Sequence, residues 1–249
     1  MLALIKRELL EHSNIRRVPF ILIGLALLIR LAILLGTPSP DINLPGQLQL
    51  EDAIDGAVTE AISRALSSMN FIVTIVLFIT TVFYSLSCLY NERQDQSVLF
   101  WRSLPISDTT TIASKLIVAL LVVPILIIIC QLIVTFIFLD INSFKYLANY
   151  LPATVMHLGK MITWTILPVV AWCLFCSSIA ERNPFLLAFV APLTLLLVDN
   201  LFFGGDTSKF LIADRFTAIN NYSTLSIIVG LVFSAICITF AITKRSQRI

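Results

Sequence analysis

Few residues in this 249-residue chain are of types that do chemistry, and their spacing excludes more than it supports. His12 and His157 are isolated in sequence, with no H-E-x-x-H or other spacing that would set two imidazoles on one metal. Cys173 and Cys176 have C-x-x-C spacing, but they lie in an apolar run with no second pair and no histidine nearby, so packing is the first reading. Cys88, Cys130 and Cys237 also fall in or at the ends of apolar runs, where a free thiol behaves as a small hydrophobe, and no disulfide framework is expected. The eight glycines are dispersed and form no phosphate-cradling loop, and no nucleophile elbow appears. The expectation is therefore a chain with no catalytic residue, no metal site and no bound cofactor of its own. What remains is a cluster at 91–107, NERQDQSVLFWRSLPIS, which joins charges to aromatic bulk and ends at Pro105. Its chemistry is that of contact rather than bond making.

The elements that must position this cluster follow from composition. With 58% hydrophobic and 13% charged residues, the chain falls outside the range of soluble domains and reads as an all-α polytopic membrane protein forming one domain over 1–249. A helical crossing needs about 20 apolar residues, and six stretches qualify: 18–35, 71–89, 116–139, 161–179, 185–203 and 225–242. Backbone groups in lipid must be satisfied internally, which makes these stretches helices. The first lacks a small-residue cleavage site and reads as a retained anchor. Six spans put both termini on one side. That side holds Lys6, Arg7, Arg16, Arg17, Arg93, Arg102, Lys115, Arg182, Lys244, Arg245 and Arg248, against Arg64, Lys145, Lys160, Lys209 and Arg215 on the other, so both termini are expected in the cytoplasm. The basic residues are scattered over juxtamembrane positions and make no nucleic-acid groove.

Residues 1–17 group apolar and charged positions as an interfacial helix would, with Pro19 starting the first span; a frayed start to that span is the alternative. Over 50–66 apolar residues recur at three- and four-residue steps, which predicts an amphipathic outer helix running into the second span. In that span Asn70, Thr74, Thr81 and Ser85 share a face; such residues pack helices in lipid, or could line a translocation path or a dimer face. Pro124, Pro168 and Pro192 favour local kinks in the third, fourth and fifth spans. Arg30 is the strong charge inside a span, with Asp140 and Asp199 as candidate partners for an intramembrane ion pair and snorkelling as the other option. The 204–224 connection mixes apolar and charged residues and could be interfacial or re-entrant.

Within 91–107, Glu92, Arg93 and Asp95 give a polar helical start, and Val98 to Trp101 place apolar bulk beyond the bilayer. Asp108 with the three threonines after it can cap the next helix. A short transverse helix tied to the second and third spans is one outcome; Trp101 anchoring an ordinary loop in the headgroups is the other. The run Glu92-Arg93-x-x-x-Ser97, followed by Leu99-Phe100-Trp101-Arg102-Ser103-Leu104-Pro105-Ile106-Ser107-Asp108, resembles the first cytoplasmic loop of permease subunits of the ABC-2 type transporter family. Gln96 stands where many members have glycine. The resemblance implies the ABC-2 exporter fold, with an interfacial helix, six spans and a cytoplasmic coupling helix at 91–107. It also implies a bacterial inner-membrane location and pairing with a second permease subunit, most simply a homodimer. A separate cytoplasmic ATPase subunit would carry ATP and Mg and would meet Glu92, Arg93, Asp95, Ser97, Leu99, Trp101, Leu104 and Pro105. The function implied is that of the membrane-spanning subunit of an ATP-driven exporter. The alternative is a secondary transporter or a membrane assembly factor without an ATPase partner.

Overall fold

The computed structural model describes residues 2–36, 47–95, 107–138, 155–156, 159–217 and 224–247. The regular elements among them are all helical. We number them α1 (Leu2–Glu11), α2 (Ser13–Gly36), α3 (Gln47–Gln94), α4 (Asp108–Phe138), α5 (Gly159–Ile179), α6 (Pro184–Phe202), α7 (a chain of short turns over 206–217) and α8 (Thr224–Gln247). Among the described residues five stretches are long and apolar enough to cross a membrane: Asn70–Gln94 of α3, all of α4, α5 and α6, and Thr224–Arg245 of α8. The chain is an all-α polytopic membrane protein. The first predicted span, 18–35, lies within α2, a 24-residue helix that carries Arg30 inside the span and Arg16 and Arg17 just before it.

Two boundaries differ from the sequence expectation. The interfacial helix ends at Glu11 rather than near residue 17, and α2 runs straight through Pro19. The break falls at His12, which still donates its N–H to the Glu8 carbonyl at 3.0 Å. The amphipathic segment over 50–66 and the second predicted span are one uninterrupted helix of 48 residues, α3, as the sequence periodicity predicts. At 1.5 Å per residue that is about 72 Å, more than twice a bilayer core.

The bundle is built around α3 and α5, which pack along each other; α8 lies on α5, α4 on α3, and α2 on α4. The apolar window of α5 is 61% buried inside the protein and that of α6 only 11%. α6 thus turns Phe185, Leu186, Phe189, Leu193 and Leu197 outward, which costs nothing against hydrocarbon chains.

Prolines shape the spans by the carbonyls they leave unpaired. A proline lacks the N–H that the carbonyl four residues earlier would take, and its ring crowds that carbonyl. In α4 and α5 the helix widens into a π-helical turn just before the proline, at Val118–Val122 ahead of Pro124 and Ile162–Ile166 ahead of Pro168. No such turn precedes Pro192 in α6. Side chains from other helices fill two of the vacated carbonyls. The Trp172 indole of α5 donates to the Ala188 carbonyl, four residues before Pro192, at 3.0 Å. Arg215 of α7 donates from Nη1 to the Trp164 carbonyl, four residues before Pro168, at 2.9 Å. In a medium without water these bonds replace ones that nothing else supplies.

Candidate functional site: a buried charge joint at the terminal end of the bundle

The end of the bundle that carries both termini encloses an ion cluster drawn from α1, α3, α4 and α8. Lys115 sits in the second turn of α4, 1% exposed, with Nζ 2.8 Å from Glu8 Oε1 of α1 and 3.0 Å from Glu92 Oε1 of α3. The same ammonium lies 3.4 Å from the Cys88 carbonyl. Glu92 is also 1% exposed; its other oxygen takes Arg245 Nη1 of α8 at 2.8 Å, and Arg7 Nη2 of α1 approaches Oε1 at 3.4 Å. Arg245 Nε reaches Asp108 Oδ1, in the first turn of α4, at 2.9 Å. The Tyr84 hydroxyl donates to Glu8 Oε2 at 3.1 Å, and His12 Nε2 stands 3.9 Å from the same oxygen.

Burial of this many charges is tolerable only because each carboxylate meets a cation. Three carboxylates, Glu8, Glu92 and Asp108, face three cations, Lys115, Arg245 and Arg7, and Arg7 also holds Glu11 at 3.2 Å. Glu92 lies near the carboxyl end of α3, where the helix dipole disfavours a negative charge, and three cations offset that. His12 packs edge-on against the Tyr84 ring, centroids 4.8 Å apart. Burial pulls its pKa down, against the upward pull of Glu8. Nothing in this arrangement activates a nucleophile, and the described residues hold no His, Cys, Asp or Glu cluster fit for a metal ion. The cluster ties together the ends of four helices, two of which flank residues 96–106.

The predicted contact residues are therefore placed as follows. Glu92 is consumed inside the cluster. Arg93, the next residue on the helix, turns the other way and donates to the Ser177 and Ala180 carbonyls, closing the carboxyl end of α5, the latter at 3.0 Å. Asp95 is exposed. Ser97, Leu99, Trp101, Leu104 and Pro105 lie outside the described residues. The cap of α4 is Ser107, whose hydroxyl accepts the Thr110 N–H at 3.2 Å, and Asp108 is released for Arg245.

The polar stripe of α3 faces inward. Asn70 is 3% exposed, Thr81 2% and Ser85 fully buried. The Gln131 amide of α4 donates to Thr74 Oγ1 at 2.8 Å and to the Asn70 carbonyl at 3.3 Å, while Thr81 and Ser85 return their hydroxyls to the carbonyls of Leu77 and Thr81. Within one chain, Gln131 thus ties the Asn70 and Thr74 end of the stripe to α4, while Thr81 and Ser85 bond to carbonyls of their own helix. The ion pair of Arg30 with Asp199 is not formed. The Asp199 carboxylate instead accepts the Thr207 hydroxyl and the Ser208 N–H, the latter at 2.7 Å, and so fixes the turn from α6 into α7. Asp140 lies outside the described residues.

At the opposite end Arg215 anchors α7. It is 6% exposed, donates to the carbonyls of Trp164 (2.9 Å), Ser226 (3.0 Å) and Leu211 (2.9 Å), and stacks on the Trp164 ring at 5.3 Å. Gly230 of α8 makes room for it: a Cβ there would fall 2.5 Å from Arg215 Nη1. Sequence reasoning placed Lys115, Glu8, Arg245 and Arg215 only as topological charges or as a polar face. Lys115 alone carried a readable signal, a single cation lodged at the start of a long apolar run. No family model, curated protein or solved structure matches this chain.

Proposed function

We propose that this chain is the membrane-spanning permease subunit of an ATP-driven exporter of the kind seen in ABC-2 type transporters. A separate cytoplasmic ATPase subunit docks on residues 96–106, both termini lie on that side, and a second permease subunit completes the pathway in a bacterial inner membrane. In this reading α2 supplies the sixth span. The observation that supports it is the buried joint. Residues 96–106 have both roots locked, Glu92 before and Asp108 after, into one network with α1 and α8. A push on the intervening loop is then shared by four helices rather than absorbed by one.

The loop's apolar residues Leu99 and Trp101 carry the docking in this reading, and Glu92 and Arg93 stiffen its base. The test is reconstitution. The tagged chain, purified gently, brings down a polypeptide that hydrolyses ATP and Mg-dependently drives export from vesicles. Trp101→Ala lowers either the association or the coupling of hydrolysis to export. Transport by the chain alone in ATP-free vesicles overturns the proposal and favours a secondary transporter.

A further inference from the structure

We propose that Arg245 is a positioning residue that fastens to α8 both of the helix ends that flank residues 96–106, the roots of that segment. Its guanidinium spans two helices that the loop separates: Nη1 lies 2.8 Å from Glu92 Oε2 in the last turn of α3, and Nε lies 2.9 Å from Asp108 Oδ1 in the first turn of α4. The planar fork fixes the directions of these two bonds, so it sets the separation of the two carboxylates as well as their charge balance. The side chain is 9% exposed and Glu92 1%, so water does not compete freely for the bond to Glu92, while the bond to Asp108, 27% exposed, lies at the edge of the cluster. Among the described residues no other cation bridges Glu92 and Asp108. Lys115 bridges Glu8 and Glu92, Arg7 bridges Glu11 and Glu92, and among the described residues Asp108 pairs with Arg245 alone. Helix dipoles favour the arrangement too, since Arg245 lies near the carboxyl end of α8 and Asp108 at the amino end of α4. α8 otherwise packs mainly along α5, with smaller contacts to the first turns of α4 and to α7. The clasp is the polar part of what ties the two roots to the last helix.

Only its biological meaning, that loop displacement reaches α8, rests on the exporter reading. The test is hydrogen exchange on the full-length chain in lipid nanodiscs without any ATPase, so a failed exporter reading leaves it intact. Arg245→Ala is expected to speed exchange about tenfold or more at 91–95 and at 107–111 together. Arg245→Lys, which keeps the charge but has one donor centre, loosens one root and spares the other. Arg7→Ala, which removes a Glu92 contact without touching Asp108, loosens 91–95 and leaves 107–111 unchanged. Unchanged exchange at 107–111 in Arg245→Ala overturns the clasp. So does protection at both roots in Arg245→Lys equal to that of the native chain, since charge alone would then suffice. If Arg245→Ala does not fold, the Lys and Arg7 variants decide the matter by the same two windows.

Discussion

Lys115→Met is the sharpest perturbation of the joint. The substituted side chain matches the lysine stem in length, so the change removes charge with little loss of volume. Two contacts go at once, to Glu8 Oε1 at 2.8 Å and to Glu92 Oε1 at 3.0 Å. At an effective dielectric of about 20 each is a Coulomb attraction of about 6 kcal/mol, largely offset by the desolvation already incurred. The damage is uneven. Glu92 keeps Arg245 and Arg7, whereas Glu8 keeps the Tyr84 hydroxyl and a histidine 3.9 Å away. A buried carboxylate that has lost its cation costs about 3–5 kcal/mol, which for a chain of this size lowers the melting temperature by about 10 °C. The five cysteines, all buried, supply the readout, because a thiol-reactive dye added to the detergent-solubilised protein reports their exposure on heating. The double variant Lys115→Met with Glu8→Gln removes the stranded charge and is expected to recover more than half of the loss. A single variant melting within about 2 °C of the native protein, or a double variant no better than the single, refutes the assignment of Glu8 and Lys115 as a buried pair.

Two further outcomes follow from the same geometry. Gly230→Ala places a Cβ 2.5 Å from Arg215 Nη1 and 2.9 Å from Nη2, so the guanidinium must leave the Trp164 and Ser226 carbonyls; a loss of about 1–3 kcal/mol is expected in the same melting assay, while Gly24→Ala, with nothing within 4 Å, serves as the neutral control. His12 sets an acid limb: its folded-state pKa lies below the ordinary 6.5 through burial, so its contribution to stability is complete above that value and is lost as pH falls through and below it. The groups facing it are Glu8, Glu11, Glu92, Lys115 and the Tyr84 ring, and His12→Gln is expected to flatten the melting temperature between about pH 7 and pH 5.

Much of the fold is legible in the sequence because lipid imposes a one-dimensional rule. Any run of about 20 apolar residues must close its own backbone bonds, so five helices long and apolar enough to cross a membrane stand where hydropathy puts them. The boundary at His12 is not legible because a proline in the first turns of a helix fits its start and its early interior alike, and the chain carries α2 through Pro19. The cap of α4 falls between two adjacent residues of equal capping ability: Ser107 takes the role, and the Asp108 carboxylate meets Arg245, 137 residues away in sequence.

What the sequence by itself determines is the membrane class, the places of the five long apolar helices, the grouping of the termini at one end and the prolines that follow the widened turns of α4 and α5. Tertiary structure alone decided which charges meet. Glu8, Glu92, Lys115 and Arg245 look in sequence like juxtamembrane residues facing water, each on its own helix with its own apolar neighbours. Helix packing brings them within 3 Å of one another and closes water out, and a charge deprived of water is governed by its partners rather than by its place in the chain. The same holds for Arg215, which depends on a carbonyl vacated by Pro168 and a space left by Gly230, residues from two other helices.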